Sequence, residues 1–298
     1  MAQHIPGYEL LDSGDGRKLE RFGDRTISRP SSLCEWSQRA DAYLWESADA
    51  ALTSKGAVRQ GATSQENPWE FTAPPFTAWE AEVQGVKLEL ELMSNGQLGI
   101  FPEHALYLPE LGTELERLSK SSSANRPVRV LNLFAYTGLA TSYAASRDDV
   151  SVTHVDLAKR AIERAKINCG LNRIAPDKVR WIVDDALTFM AREARKQSLY
   201  DVVIIDPPSF SRVSKTNTWT LEEKLSEIVR LVLGVIHPNS GAIFFTNHST
   251  ASTVDIARNI ALDHLTGASL DISTRNLALQ EKSTDRRLPA GSLIKIAF

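Results

Sequence analysis

Val202-Val203-Ile204-Ile205-Asp206-Pro207-Pro208-Ser209-Phe210 is the stretch from which the fold can be read. Four apolar residues without alternation predict a strand buried on both faces. An acid, two prolines and an aromatic follow at its carboxyl end, where open α/β sheets hold their ligands. Proline lacks an N–H and has a fixed φ, so the pair makes a stiff loop whose carbonyls remain available as acceptors. Acceptor oxygens beside a flat ring suit an amino-bearing heterocycle. A plain rigid turn is the competing reading.

Outward from this strand, the pattern alternates strand and helix from residue 127 to the end. Strands are predicted over 128–134, 152–155, 179–183, 242–246, 270–273 and 293–298. Between them, apolar stripes mark helices: Ala158, Ala161, Ile162 and Ala165; Ala186, Leu187, Met190, Ala191 and Ala194; then Leu221, Leu225, Ile228, Val229, Val232 and Ile236. A small-residue helix is expected over 138–146 and another over 254–265, with Gly170 just past the end of the helix that starts near Ala158. Strands alternating with amphipathic helices predict an α/β fold with a parallel sheet covered on both faces.

Residues 1–120 read as a smaller β-rich region that shapes the substrate mouth. Ser13-Gly14-Asp15-Gly16 predicts a hairpin turn, 83–92 a strand turning at Ser94-Asn95-Gly96, and 47–68 a loop. The run from Ser121 to Pro127 marks the boundary, giving domains 1–120 and 127–298. Residues 1–120 carry 11 Lys/Arg against 19 Asp/Glu, and residues 121–298 carry 23 against 18. The second part is thus mildly basic, compatible with phosphate contacts. Hydrophobic content of 42% and charged content of 24% are ordinary for a globular chain. No apolar run reaches membrane-span length, the first residues are not a secretory signal, and Cys34 and Cys169 form no disulfide framework. A cytoplasmic setting without membrane association is expected.

The 128–134 strand leads into Phe134-Ala135-Tyr136-Thr137-Gly138, a tight turn opening a helix, which is a nucleotide-type corner. Ala135 stands where a dinucleotide site has its first glycine, which argues against NAD or FAD. Asp156, followed by Leu157, ends the second strand and can hold both ribose hydroxyls. Asp184-Asp185-Ala186 ends the third, where an acceptor can meet an adenine amino group, and Asp206 ends the fourth. Each acid alone also reads as a helix N-cap. Together they describe a cleft for an adenosine without a diphosphate, which is S-adenosyl-L-methionine.

These motifs, with Val130-Leu131-Asn132-Leu133 before the turn and His154-Val155-Asp156-Leu157-Ala158-Lys159-Arg160-Ala161, closely resemble class I S-adenosylmethionine-dependent methyltransferases. Within them they resemble the bacterial large-subunit rRNA methyltransferase family, and Leu98-Gly99-Ile100-Phe101-Pro102-Glu103-His104 resembles the short segment that precedes its catalytic domain. The resemblance covers roughly residues 98–250. It implies a Rossmann-like seven-stranded sheet with its last strand antiparallel, S-adenosylmethionine as cofactor, and 23S rRNA as substrate, methylated at cytosine C5 or guanine N7. A cofactor-capping role for His104 comes only from the resemblance.

Methylating pyrimidine C5 requires a thiolate to add at C6. The segment after the fifth strand, Thr246-Asn247-His248-Ser249-Thr250, has no cysteine. Methylation at a base nitrogen is therefore expected, with RNA, and rRNA in particular, as partner. In this reading Asp206 and the Pro207 carbonyl accept from the base, Pro207 and Pro208 together stiffen the loop, and Phe210 stacks on a flipped-out or single-stranded base. His154 reads as packing, and His248 as either cleft-lining or loop-bonding. Arg212 and Lys215 are candidates for phosphate contacts, Trp219 for the buried face of the next helix. No His, Cys and acid set has metal spacing, so no metal is expected. A small-molecule or protein methyltransferase on the same fold, or a non-catalytic cofactor-binding module, is the alternative.

Overall fold

The computed structural model describes residues 4–53, 68–121, 126–212, 218–248, 252–264 and 271–298. The chain forms two compact units, Met1–Leu106 with Ala278–Pro289, and Tyr107–Leu277 with Ala290–Phe298.

The first unit contains a five-stranded sheet of β1 (Tyr8–Gly14), β2 (Arg17–Phe22), β3 (Arg25–Pro30), β4 (Ala50–Leu52) and β5 (Trp69–Phe71), in that order. A short helix, α1 (Ala42–Glu46), precedes β4 and is capped by the Asp41 carboxylate. The predicted first hairpin is present, with Asp15 and Gly16 at φ 49° and 73° as its two-residue loop. The strand expected over 83–92 is instead parts of two, β6 (Ala78–Val83) and β7 (Val86–Glu91), paired antiparallel. Gln84 and Gly85, at φ 52° and 76°, make the turn between them. Both central positions of such a turn need positive φ, and glutamine is an uncommon choice there.

Glu20 is fully buried in this unit. Both of its oxygens accept from the Arg29 guanidinium, at 2.6 and 3.2 Å, and Lys18 and the Tyr8 hydroxyl lie at 3.1 and 2.9 Å. Burial opposes the charge, but Arg29 and Lys18 outweigh it and hold the Glu20 carboxyl down to about 2.

The second unit is built on the greater part of a seven-stranded sheet. Its members are β8 (Val128–Leu133), β9 (Val150–Asp156), β10 (Val179–Val183), β11 (Val202–Ile205), β14 (Ala242–Asn247), β15 (Asp271–Gln280) and β16 (Arg287–Ala297). The order is β10-β9-β8-β11-β14-β16-β15, and the first five are mutually parallel. The last strand pairs antiparallel with β14, as expected. β12 (Phe210–Arg212) and β13 (Thr218–Thr220) form a separate two-stranded ribbon. The chain reverses its direction of progress across the sheet at β8, which lies between β9 and β11. That switch opens a crevice at the carboxyl ends of these strands.

Helices α2 (Leu108–Ser121), α3 (Leu139–Ala145), α4 (Lys159–Leu171), α5 (Ala186–Arg195), α6 (Leu221–Leu233) and α7 (Ser252–His264) belong to this unit. Helix α2 was absent from the expected elements and moves the boundary. The units part at Leu106/Tyr107, not near residue 120, because Leu108, Leu111, Leu115 and Leu118 are buried along one helix face. Glu110 and Glu114 also pair with Arg275 and Lys295 at 2.8 and 2.6 Å. Residues 278–289, expected in the second domain, belong with the first. The serine-rich boundary at 121–127 falls largely outside the described residues.

Local chemistry fixes the helix ends. Asp185 caps α5 by accepting from Thr188 N at 2.8 Å, and Thr220 with Glu223 forms a capping box on α6. Gly170 lies inside α4 rather than beyond it: the helix runs on to Leu171, and Arg173 takes the left-handed conformation at φ 56°. The core joins Leu131, Leu133, Val203 and Ile205 of the sheet to Phe189 of α5 and Leu225 of α6. Among the described residues, no helix is long and apolar enough to cross a membrane.

Candidate active site

All the acids singled out in the sequence stand on one edge of the seven-stranded sheet. β8 ends at Leu133 and the chain turns sharply, with Phe134, Tyr136 and Gly138 all at positive φ, 53°, 49° and 81°. Two non-glycine residues in the left-handed region hold strain that the surroundings must fix. The restraints are visible. Ala135 N donates to Val155 O at 3.1 Å, Tyr136 N to Asp156 Oδ2 at 2.8 Å, and the Asn168 amide to Thr137 O at 2.8 Å. Gly138 starts α3 against α4; a Cβ there would meet the Ala165 Cβ at 2.9 Å, so close approach and left-handed φ both require glycine.

Asp156 is half-buried at the end of β9 and also accepts from Ala158 N at 2.8 Å. Burial raises its pKa, partly offset by those two backbone N–H groups. A carboxylate in this position has one lone-pair site on each oxygen engaged by the backbone and others directed elsewhere. Leu157 follows it and is 65% exposed, and Val183, at the end of neighbouring β10, is 55% exposed. Two exposed aliphatic side chains at this sheet edge could serve as apolar walls for a flat ring.

Asp184 and Asp185 have different surroundings. Asp184 accepts from Asp185 N at 2.9 Å and pairs with Arg192 at 2.9 Å, whereas Asp185 is the cap of α5 and precedes buried Ala186. The cap reading weighed for single acids thus describes Asp185.

Asp206 closes the row. Thr246 Oγ1, at the end of β14, donates to its Oδ1, and His248 Nε2 lies 3.3 Å from the same oxygen. Gly291 of β16 backs this corner, with its Cβ position 3.1 Å from His248 Nδ1. Tyr107 is buried nearby, and burial together with the Asp206 charge raises its pKa. Pro207 is buried, Pro208 exposed, and Ser209 O accepts from Leu221 N at 3.0 Å, which ties the loop to α6. Phe210 opens β12, but its side chain, like those of Arg212 and Trp219, lies outside the described residues, as do Lys215, Ser249 and Thr250.

His154 is packing, as expected: it is buried, 2.9 Å from Thr141 Oγ1 and 4.9 Å between ring centroids from Trp181. Burial lowers its pKa to about 3, so it is neutral. Cys34 and Cys169 are both buried, and burial raises their thiol pKa values. His104 lies in the first unit, with its ring 5.7 Å from Phe101. Sequence reasoning missed the Thr246 hydroxyl and Tyr107 as neighbours of Asp206. Strand order brings Thr246 there, and for Tyr107 no local signal exists.

A family model described as S-adenosylmethionine-dependent methyltransferase matches residues 46–255. Two curated relatives are ribosomal RNA large subunit methyltransferases K/L. The protein from Shewanella sp. strain MR-4 is 30% identical over 76% of this chain and 29% of its own length. That from Shewanella frigidimarina is 30% identical over 59% of this chain and 23% of its own length. The chain therefore spans less than a third of the length of these relatives. The solved SAM-dependent methyltransferase of Agrobacterium tumefaciens superposes with a TM-score of 0.83 at 28% identity, covering 99% of this chain and 91% of that one. A methyltransferase solved in complex with SAH shares the fold, with a TM-score of 0.70 at 17% identity over 98% of this chain and 75% of that one.

Proposed function

Because the chain belongs to the S-adenosylmethionine-dependent methyltransferase family, we propose that it methylates a nitrogen of an RNA base, in ribosomal RNA. The observation that carries this reading is Asp206 at the end of β11, beside the switch point and in line with Asp156 and Asp185. The names of the relatives support the RNA part.

The rim suits the cofactor. Its acceptors are carboxylates placed for hydroxyl and amino donors, its apolar walls suit a purine, and Ala135 denies a diphosphate the close backbone approach it needs. Asp156 holds the ribose, Leu157 and Val183 flank the adenine, and Asp185 with the backbone of Ala186 reads its edge. Phe134 to Gly138 form the floor. Bound there, the cofactor supplies a methyl group made electrophilic by its sulfonium.

The remaining work belongs to the chain. Asp206, with Oδ1 steadied by Thr246 and His248, orients the acceptor base, and the Pro207 carbonyl completes the seat. Orientation supplies most of the acceleration for a lone-pair nucleophile attacking in line, and exclusion of water aids a reaction in which charge on sulfur disappears. Nitrogen is favoured over pyrimidine C5 because the β14 end presents Thr246, Asn247 and His248, while both cysteines are buried. Cys169 instead contacts Ser142 Oγ at 3.5 Å.

Incubating the protein with radiolabelled S-adenosylmethionine and fractionated cell extract tests the substrate. Label in large RNA, recovered as an N-methylated nucleoside, is expected. Label only in small molecules or protein would move the enzyme to a different substrate class.

A further inference from the structure

The net positive charge of residues 121–298 is concentrated in one stretch of sequence. Residues 157–180 hold 7 Lys/Arg against 2 Asp/Glu, whereas the rest of 121–298 holds 16 of each. The entire excess of five therefore sits in 24 consecutive residues, which comprise helix α4, the turn after it and the start of β10. Lys159, Arg160, Lys166, Arg173 and Arg180 are exposed there. Glu163 pairs with Lys166 at 3.5 Å and Glu193 with Arg180 at 3.7 Å, both with well-exposed cations that such contacts hold loosely.

The placement runs against helix electrostatics. The first turn of α4 has no acid and its N-cap, Ala158, makes no side-chain cap. Lys159 and Arg160 stand where the helix dipole is already positive, an arrangement that helix electrostatics disfavours. Such a local violation concentrates positive potential at one place, which is the rim just beyond Asp156 and Leu157. From there the strip follows α4 for 13 residues, about 20 Å at the helical rise. Asp156 and Asp206 are two strand spacings apart across β8, about 10 Å.

We propose that this strip is a docking surface for the phosphate backbone of the substrate RNA, holding the strand beside the cleft while one base reaches Asp206. The inference rests on the RNA reading above and adds the surface that carries the nucleic acid. A run of cations reads no sequence; it supplies salt-dependent affinity and register, and specificity is left to the pocket.

The test is binding of unmodified 23S rRNA, made by transcription, to the full chain and to the triple variant Lys159→Glu/Arg160→Glu/Lys166→Glu, between 50 and 200 mM salt. The variant is expected to bind at least about tenfold more weakly at 100 mM salt. Its plot of log affinity against log salt should be shallower by about 2, for three lost phosphate contacts. Its affinity for S-adenosylmethionine should stay within twofold, and its melting temperature should stay close to that of the wild type, since acids at 159 and 160 favour the first turn and offset the loss of the Lys166–Glu163 pair. Equal RNA binding by wild type and variant would make the strip an ordinary solvated surface and overturn the inference while leaving the RNA reading intact. No RNA binding by wild type would remove both. Retention of the wild type, but not the variant, on phosphatidylglycerol vesicles with no RNA binding would reassign the strip to anionic lipid.

Discussion

Replacing Asp206 by alanine is expected to lower methyl transfer to unmodified 23S rRNA at least about 100-fold, the scale of loss when a reacting group is misplaced by about an ångström. The reason is geometric. Asp206 Oδ1 is fixed by Thr246 and His248, the following loop is stiffened by Pro207 and Pro208, and Ser209 O is tied to α6. That much restraint on one carboxylate is useful only if its direction matters. Affinity for S-adenosylmethionine should change less than tenfold, because the adenosine contacts proposed for Asp156 and Asp185 remain. Single-turnover labelling with calorimetry separates the two quantities. Thr246→Val should give a smaller loss in rate with the same cofactor affinity, since it frees the carboxylate without removing it. Wild-type turnover in Asp206→Ala would remove this residue from the mechanism.

The second large effect concerns stability. Glu20→Ala is expected to cost about 3–5 kcal/mol in urea unfolding, because it leaves the Arg29 guanidinium buried without its partner. Arg29 also donates to Gly96 O at 2.9 Å, a neutral acceptor that cannot replace the carboxylate. The pH dependence has a definite sign. The folded pKa of Glu20, about 2, lies below the unfolded carboxylate range near 4.3. Its contribution is therefore complete above that range and is lost as pH falls toward 2. In Glu20→Gln the acid limb of the stability curve should flatten over the same window. An unchanged unfolding midpoint in Glu20→Ala would show that the ion pair contributes nothing net.

Most of the second unit was legible in the sequence, and the reasons are specific. Buried parallel strands such as Val202–Ile205 are short apolar runs, and helices such as α6 show apolar residues at every third and fourth position. Gly138 and the acids after each strand then mark the carboxyl edge, where α/β folds place their sites. The failures are equally specific. Helix α2 carries Leu108, Leu111, Leu115 and Leu118 at helical spacing, but Pro109 and Gly112 disguise it; Pro109 sits in the first turn, where a missing N–H is harmless. The Gln84-Gly85 turn was hidden because glutamine seldom takes positive φ. The attachment of residues 278–289 to the first unit depends on pairings far apart in sequence, such as Glu281 with Ser13 at 2.5 Å and Arg286 with Asp12 at 3.2 Å. Nothing local announces those. At the site, the acids were found from strand ends, whereas their internal division of labour was not. Asp184 bound to Arg192, Asp185 capping a helix, and Thr246 and His248 on Asp206 all follow from three-dimensional proximity.

The position of the bound cofactor is the decisive measurement. A crystal structure with S-adenosylhomocysteine should show the ribose hydroxyls on Asp156, the adenine between Leu157 and Val183 with its edge at Asp185, and the sulfur turned toward Asp206. Density for the ligand at any other place, with the carboxyl edge of β8, β9 and β11 empty, would contradict it.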